Sequence, residues 1–99
     1  HVDDLADACV FMMERDVGEG LFNIGSGEEV TIKELASIVT QEVGFQGKLV
    51  FDASKPDGTP RKVMDIGKMQ ALGWRSKIAL RDGVRTTYAD FLSGRARGI

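Results

Sequence analysis

The sequence predicts a small α/β lobe, with about four helices and a short parallel sheet of two strands. Apolar residues recur at helical spacing in four segments. Two short apolar runs, each bounded by turn residues, read as strands. Run, helix, run is also the order of a right-handed βαβ unit. A sheet of two strands is too small to stand alone with helices on both faces. Either a further strand escapes the pattern, or the lobe leans on a larger domain. The second reading is preferred.

The first helix is expected over Asp3–Arg15, where Leu5, Ala8, Cys9, Met12 and Met13 follow the spacing of one buried face. Asp3 is placed to cap it, and Asp4 and Asp7 suit the positive end of the helix dipole. After the break DVGEG, the run Leu21–Ile24 is expected to be a buried strand. Thr31 and Glu34 then have the spacing of a capping box. Ile32, Leu35, Ala36, Ile38, Val39 and Val43 mark a second amphipathic helix, which Gly44 stops. Lys48–Phe51 is the second strand candidate. Asp65 is placed to cap a short helix carrying Ile66, Met69 and Leu72, which ends at Gly73-Trp74. A last helix runs from about Leu80 to Leu92, with Val84, Tyr88 and Phe91 on its apolar face. The basic tail 93–99 lacks periodicity and is expected to fray.

Composition narrows the function. Ninety-nine residues with a net charge of −2 allow one ordinary globular domain and argue against a general nucleic-acid binder. No apolar run approaches the roughly 20 residues that span a bilayer, and no signal peptide is visible. The single cysteine, Cys9, is compatible with a reducing cytoplasm, and its helix position predicts a buried, structural role. His1 is the only histidine and has no second His or Cys nearby to build a metal site. An opening at His1, without methionine, is expected of an excised or processed piece.

Gly25-Ser26-Gly27 lies between a strand candidate and a helix, but it is not a dinucleotide fingerprint. Val30 stands where the third glycine should be, and two glutamates would repel a pyrophosphate. Tyr88 lacks a lysine four residues on, so no Tyr-x-x-x-Lys pair exists there. Trp74 reads as packing.

The loop Asp52–Lys62 differs from the rest. It gathers both prolines, Pro56 and Pro60, with Lys55, Arg61 and Lys62. Pro56-Asp57-Gly58 is turn chemistry. A stiff backbone beside several cations lowers the entropy cost of holding an anion. Lys55, Arg61 and Lys62 can reach a diphosphate, with arginine making forked contacts, and Asp57 can accept from hydroxyls or amines. The competing reading is a solvated loop whose charges pair with one another.

The stretch VFDASKPDGTPRKVMDI, with HVDDLADACVFMM before it and LGW after it, resembles the C-terminal part of bacterial GDP-L-fucose synthases. These are extended short-chain dehydrogenase/reductases that convert GDP-4-keto-6-deoxymannose to GDP-L-fucose with NADPH. The resemblance covers nearly the whole chain. HVDDLADA and LGW are shared with many nucleotide-sugar epimerases and dehydratases, whereas SKPDGTPRK is more specific. It implies that residues 1–92 form a nucleotide-sugar-binding lobe that packs on an N-terminal Rossmann domain. Asp57 and Lys62 match substrate contacts of the family, and Lys55 stands where related epimerases place an arginine on the diphosphate. Arg61 is added from local chemistry. The resemblance further implies that NADPH is bound by the absent N-terminal domain, that this chain holds no catalytic or cofactor residues and is inactive alone, and that the parent is a homodimer. Two alternatives stay open. One is a non-catalytic anion-binding or protein-interaction module, and the other is the substrate lobe of another nucleotide-sugar epimerase or dehydratase.

Overall fold

The computed structural model describes residues 1–56, 58 and 64–94. Four helices are present among them: α1 (Val2–Met13), α2 (Ile32–Val43), α3 (Gly67–Leu72) and α4 (Leu80–Leu92). The helical part of the expectation is met, and the last helix has the bounds its periodicity predicts.

The sheet is not formed. Leu21–Ile24 and Lys48–Phe51 contain no strand residues. Leu21–Ile24 keeps the alternation of an extended segment, with Phe22 and Ile24 half-buried and Leu21 and Asn23 exposed. Side-chain bonds, and not a ladder, tie the segment to its surroundings. Lys68 Nζ donates to the Leu21 carbonyl at 2.9 Å, and Asn23 Nδ2 donates to the Asp65 carbonyl at 3.4 Å. Lys48–Phe51 is exposed throughout. An extended run becomes a strand only when a second backbone takes up its N–H and C=O groups. No described segment does so.

The chain divides into two compact units, His1–Glu29 with Val63–Leu80, and Val30–Lys62 with Arg81–Ile99. In the first, Ala8, Met69 and Trp74 are fully buried, and Phe11, Met12, Phe22 and Ile24 pack around them. LGW owes its shape to the end of α3. Gly73 adopts φ +97°, the Gly73 amide bonds to the Gln70 carbonyl at 2.9 Å, and the Trp74 amide bonds to the Met69 carbonyl at 3.0 Å. This is a Schellman ending, which brings the residue after the glycine onto the helix residue five before it. Here those two are Trp74 and Met69, both in the core.

Polar ties lock α1 onto the segment after α3. Asp4 is buried, and its carboxylate accepts from the Lys77 amide at 3.1 Å and the Ile78 amide at 3.0 Å. Trp74 Nε1 donates to Asp7 Oδ2 at 2.9 Å, and Lys77 Nζ lies 3.4 Å from the same oxygen. The indole bond, and then the Lys77 charge, hold the Asp7 carboxyl below its ordinary pKa.

Two expectations for α1 are corrected. The cap is His1, whose Nδ1 accepts from the Asp3 amide at 3.0 Å, and not Asp3. The buried stripe is Asp4–Ala8 with Phe11 and Met12 partly covered, whereas Leu5, Cys9 and Met13 are exposed. Cys9 is therefore a surface residue and not a buried hydrophobe. Successive helix residues turn by about 100°, so a stripe centred on Asp4 and Ala8 leaves Cys9 outside it.

In the second unit, the capping box of α2 forms as expected. Thr31 Oγ1 accepts from the Glu34 amide at 3.0 Å, and Glu34 Oε2 accepts from the Thr31 amide at 3.4 Å. Gly44 ends the helix at φ +72°. Leu35, Ala36, Ile38 and Val43 are half-buried, and Ile32 and Val39 are exposed. Arg81 NH1 meets Glu42 Oε1 at 3.1 Å, which joins α4 to the end of α2. Val84 and Tyr88 turn inward on α4, and Leu80, Phe91 and Leu92 are exposed.

Candidate functional site

The loop after Phe51 opens with a turn built by Asp52. Its Oδ1 accepts from the Ser54 amide at 2.9 Å and from the Ser54 hydroxyl at 2.5 Å. The Lys55 amide reaches the Asp52 carbonyl at 3.3 Å, closing a four-residue turn over Asp52–Lys55. The Ser54 hydroxyl, and then its amide, hold the Asp52 carboxyl below its ordinary pKa. Lys55 follows at once, with Pro56 behind it.

All of Phe51–Pro56 is exposed. Among the described residues, the Lys55 ammonium forms no ion pair. Internal charge pairing, the competing reading of this loop, is not seen between Lys55 and Asp52, whose Oδ1 accepts from Ser54 instead. Asp57, Arg61 and Lys62 lie outside the described residues. Asp52 and Ser54 are the residues that sequence reasoning missed. The signal was present as D-x-S, the spacing of an aspartate that bonds the backbone two residues on.

The glycine turn Gly25-Ser26-Gly27 has a packing role. A Cβ on Gly27, at φ +78°, would lie 2.7 Å from Ile66 Cδ1, and one on Gly25 would lie 3.6 Å from Ile66 Cγ2. The glycines admit the Ile66 side chain at the start of α3, which packs against this turn.

A cavity of about 630 Å³ in the first unit is lined by His1, Leu5, Ile24, Ser26, Glu28 and Lys77, among others. Its polar groups are engaged in local structure. His1 Nδ1 caps α1, Ser26 Oγ accepts from the Glu28 amide at 3.1 Å, and Lys77 pairs with Asp7. Among the described residues, no group of three or more His, Cys, Asp or Glu is placed to hold a metal ion. No helix among them is long and apolar enough to cross a membrane.

Comparison with known proteins agrees with the loop motif. GDP-L-fucose synthase 1 of Arabidopsis thaliana is 60% identical over 92 residues, which is 93% of this chain and 28% of that protein. The GDP-L-fucose synthase of Escherichia coli (strain K12) is 42% identical over 106 aligned positions, covering 98% of this chain and 33% of that protein. Among solved structures, a GDP-6-OMe-4-keto-L-xylo-heptose reductase from C. jejuni superposes with a TM-score of 0.86 at 38% identity, over 96% of this chain and 30% of that one. A GDP-mannoheptose C4 reductase from Campylobacter jejuni, solved with NADP bound, superposes with a TM-score of 0.78 at 39% identity, over 93% of this chain and 30% of that one. No protein-family model matches. Over nearly its whole length, the chain thus matches a part, 28–33%, of GDP-L-fucose synthases and related GDP-sugar reductases of the extended short-chain dehydrogenase/reductase family.

Proposed function

We propose that this chain is the nucleotide-sugar-binding lobe of an NADPH-dependent epimerase-reductase that converts GDP-4-keto-6-deoxy-D-mannose to GDP-L-fucose in the cytoplasm. The observation that carries this reading is the SKPDGTPRK loop, with Lys55 exposed and in no ion pair among the described residues, inside a chain 60% identical over 92 residues to a GDP-L-fucose synthase. In this reading, residues 1–92 form the lobe. Lys55, Arg61 and Lys62 hold the diphosphate, and Asp57 accepts from hydroxyls or amines of the ligand.

NADPH and the reacting groups belong, in this reading, to an N-terminal Rossmann domain outside this chain, and the lobe alone is inactive. The whole protein is a homodimer. Exposed apolar side chains support a larger body against the lobe. Met13, Leu21, Ile32 and Val50 are each 74–85% exposed, surface that a further domain could cover.

Calorimetry of GDP-sugar binding to the full-length protein tests the loop. Asp57→Ala and Lys62→Ala are each expected to weaken binding by about tenfold, the value of one charge-assisted contact. Unchanged affinity in both removes the assignment. A second reading, a reductase for a different GDP-sugar, is favoured by the likeness to two GDP-heptose reductases. Turnover of a 4-keto GDP-heptose but not of GDP-4-keto-6-deoxymannose would select it.

A further inference from the structure

We propose that Asp52 is a positioning residue for substrate binding: by capturing Ser54 it builds the turn that fixes Lys55 in place for the diphosphate, an inference that rests on the loop reading above.

Three geometric facts converge on Lys55. Its amide is tied to the Asp52 carbonyl at 3.3 Å, so its backbone is held from the N-terminal side. Pro56 follows, and a residue before proline is restricted to extended backbone, so it is held from the C-terminal side as well. The Asp52 carboxylate, three residues from the ammonium, would be its natural partner in a solvated loop. Instead its Oδ1 accepts from the Ser54 amide and hydroxyl, and no ion pair with Lys55 is present among the described residues. The aspartate therefore orders the backbone under Lys55 without neutralising the Lys55 charge. A cation carried on a pre-ordered backbone loses less entropy when it closes on an anion.

This account differs in sign from the simplest alternative. If Asp52 were only a negative charge near an anion site, its removal would relieve repulsion and tighten binding. If it positions Lys55, its removal loosens the turn and weakens binding. Asp52→Asn separates the two, since the amide oxygen keeps an acceptor for Ser54 while the charge is lost.

The test is steady-state kinetics of the full-length protein with Asp52→Ala, Asp52→Asn, Ser54→Ala and Lys55→Ala. Asp52→Ala is expected to raise the KM for the GDP-sugar about three- to tenfold, with the effect mainly on KM rather than kcat and with the NADPH KM unmoved. Ser54→Ala is expected to raise it less, because the backbone amide still meets Asp52. Asp52→Asn is expected to stay within about twofold of the parent. A rise in KM for Lys55→Ala with an unchanged or lower KM for Asp52→Ala overturns the inference and leaves the loop reading standing. An unchanged KM for Lys55→Ala overturns both.

Discussion

The segment that starts at His1 and the loop that starts at Phe51 both carry aspartates, but they use them differently. In the first, the carboxylates of Asp4 and Asp7 reach far along the chain. Asp4 holds the amides of Lys77 and Ile78, and Asp7 holds the indole of Trp74 and the ammonium of Lys77. In the second, Asp52 reaches only to Ser54 and Lys55, and the segment is exposed. HVDDLADA and LGW are thus explained by folding alone. The opening of SKPDGTPRK is not, and a charged segment that the fold does not use is where a ligand is best sought.

That contrast can be broken by mutation. The largest expected effect is Trp74→Ala, which empties the centre of the first unit and removes the donor to Asp7. It should lower unfolding stability by about 3–5 kcal/mol in denaturant titration of the full-length protein. A loss under about 1 kcal/mol would mean that the core lies elsewhere. Next is Asp4→Ala, which removes the buried acceptor of two part-buried hydrogen bonds and is expected to cost about 1–3 kcal/mol. If it behaves like a surface substitution, within about 0.5 kcal/mol, the tie is not structural.

The smallest effect is on pH dependence. Asp7 has its pKa lowered on folding by Trp74 and Lys77, so it favours the folded state above the ordinary carboxylate range. That contribution should disappear as pH falls below about 4, through the lowered folded-state value. Asp7→Asn should therefore flatten the acid limb of a stability–pH curve. Parallel acid limbs in the two proteins would contradict the assignment.

The helices were legible in the sequence because their signals are local: the Thr31–Glu34 box, the glycine stops at Gly44 and Gly73, and the apolar spacing of Leu80–Leu92. The two strand candidates were not, because a ladder depends on a second backbone that no local pattern reveals. Exposure misled for a related reason. Periodicity shows that Leu5, Cys9 and Met13 share a face of α1, but it does not say what covers that face. The burial of Asp4 was hidden as well, since its partners lie 73 and 74 residues away. At the candidate site, the cations and the stiff loop could be read directly. The Asp52 turn could have been read from D-x-S. Asp57, Arg61 and Lys62 fall outside the described residues, so their part of the site rests on sequence and resemblance.

In the proposed reading, the loop serves a ligand and not the fold. It is tested most directly by measuring GDP-sugar affinity and melting temperature together, on full-length protein carrying Lys55→Ala with Lys62→Ala. Affinity is expected to fall by about tenfold or more while the melting temperature stays within a degree or two. Unchanged affinity, or a loss of affinity matched by a fall in melting temperature, would contradict it.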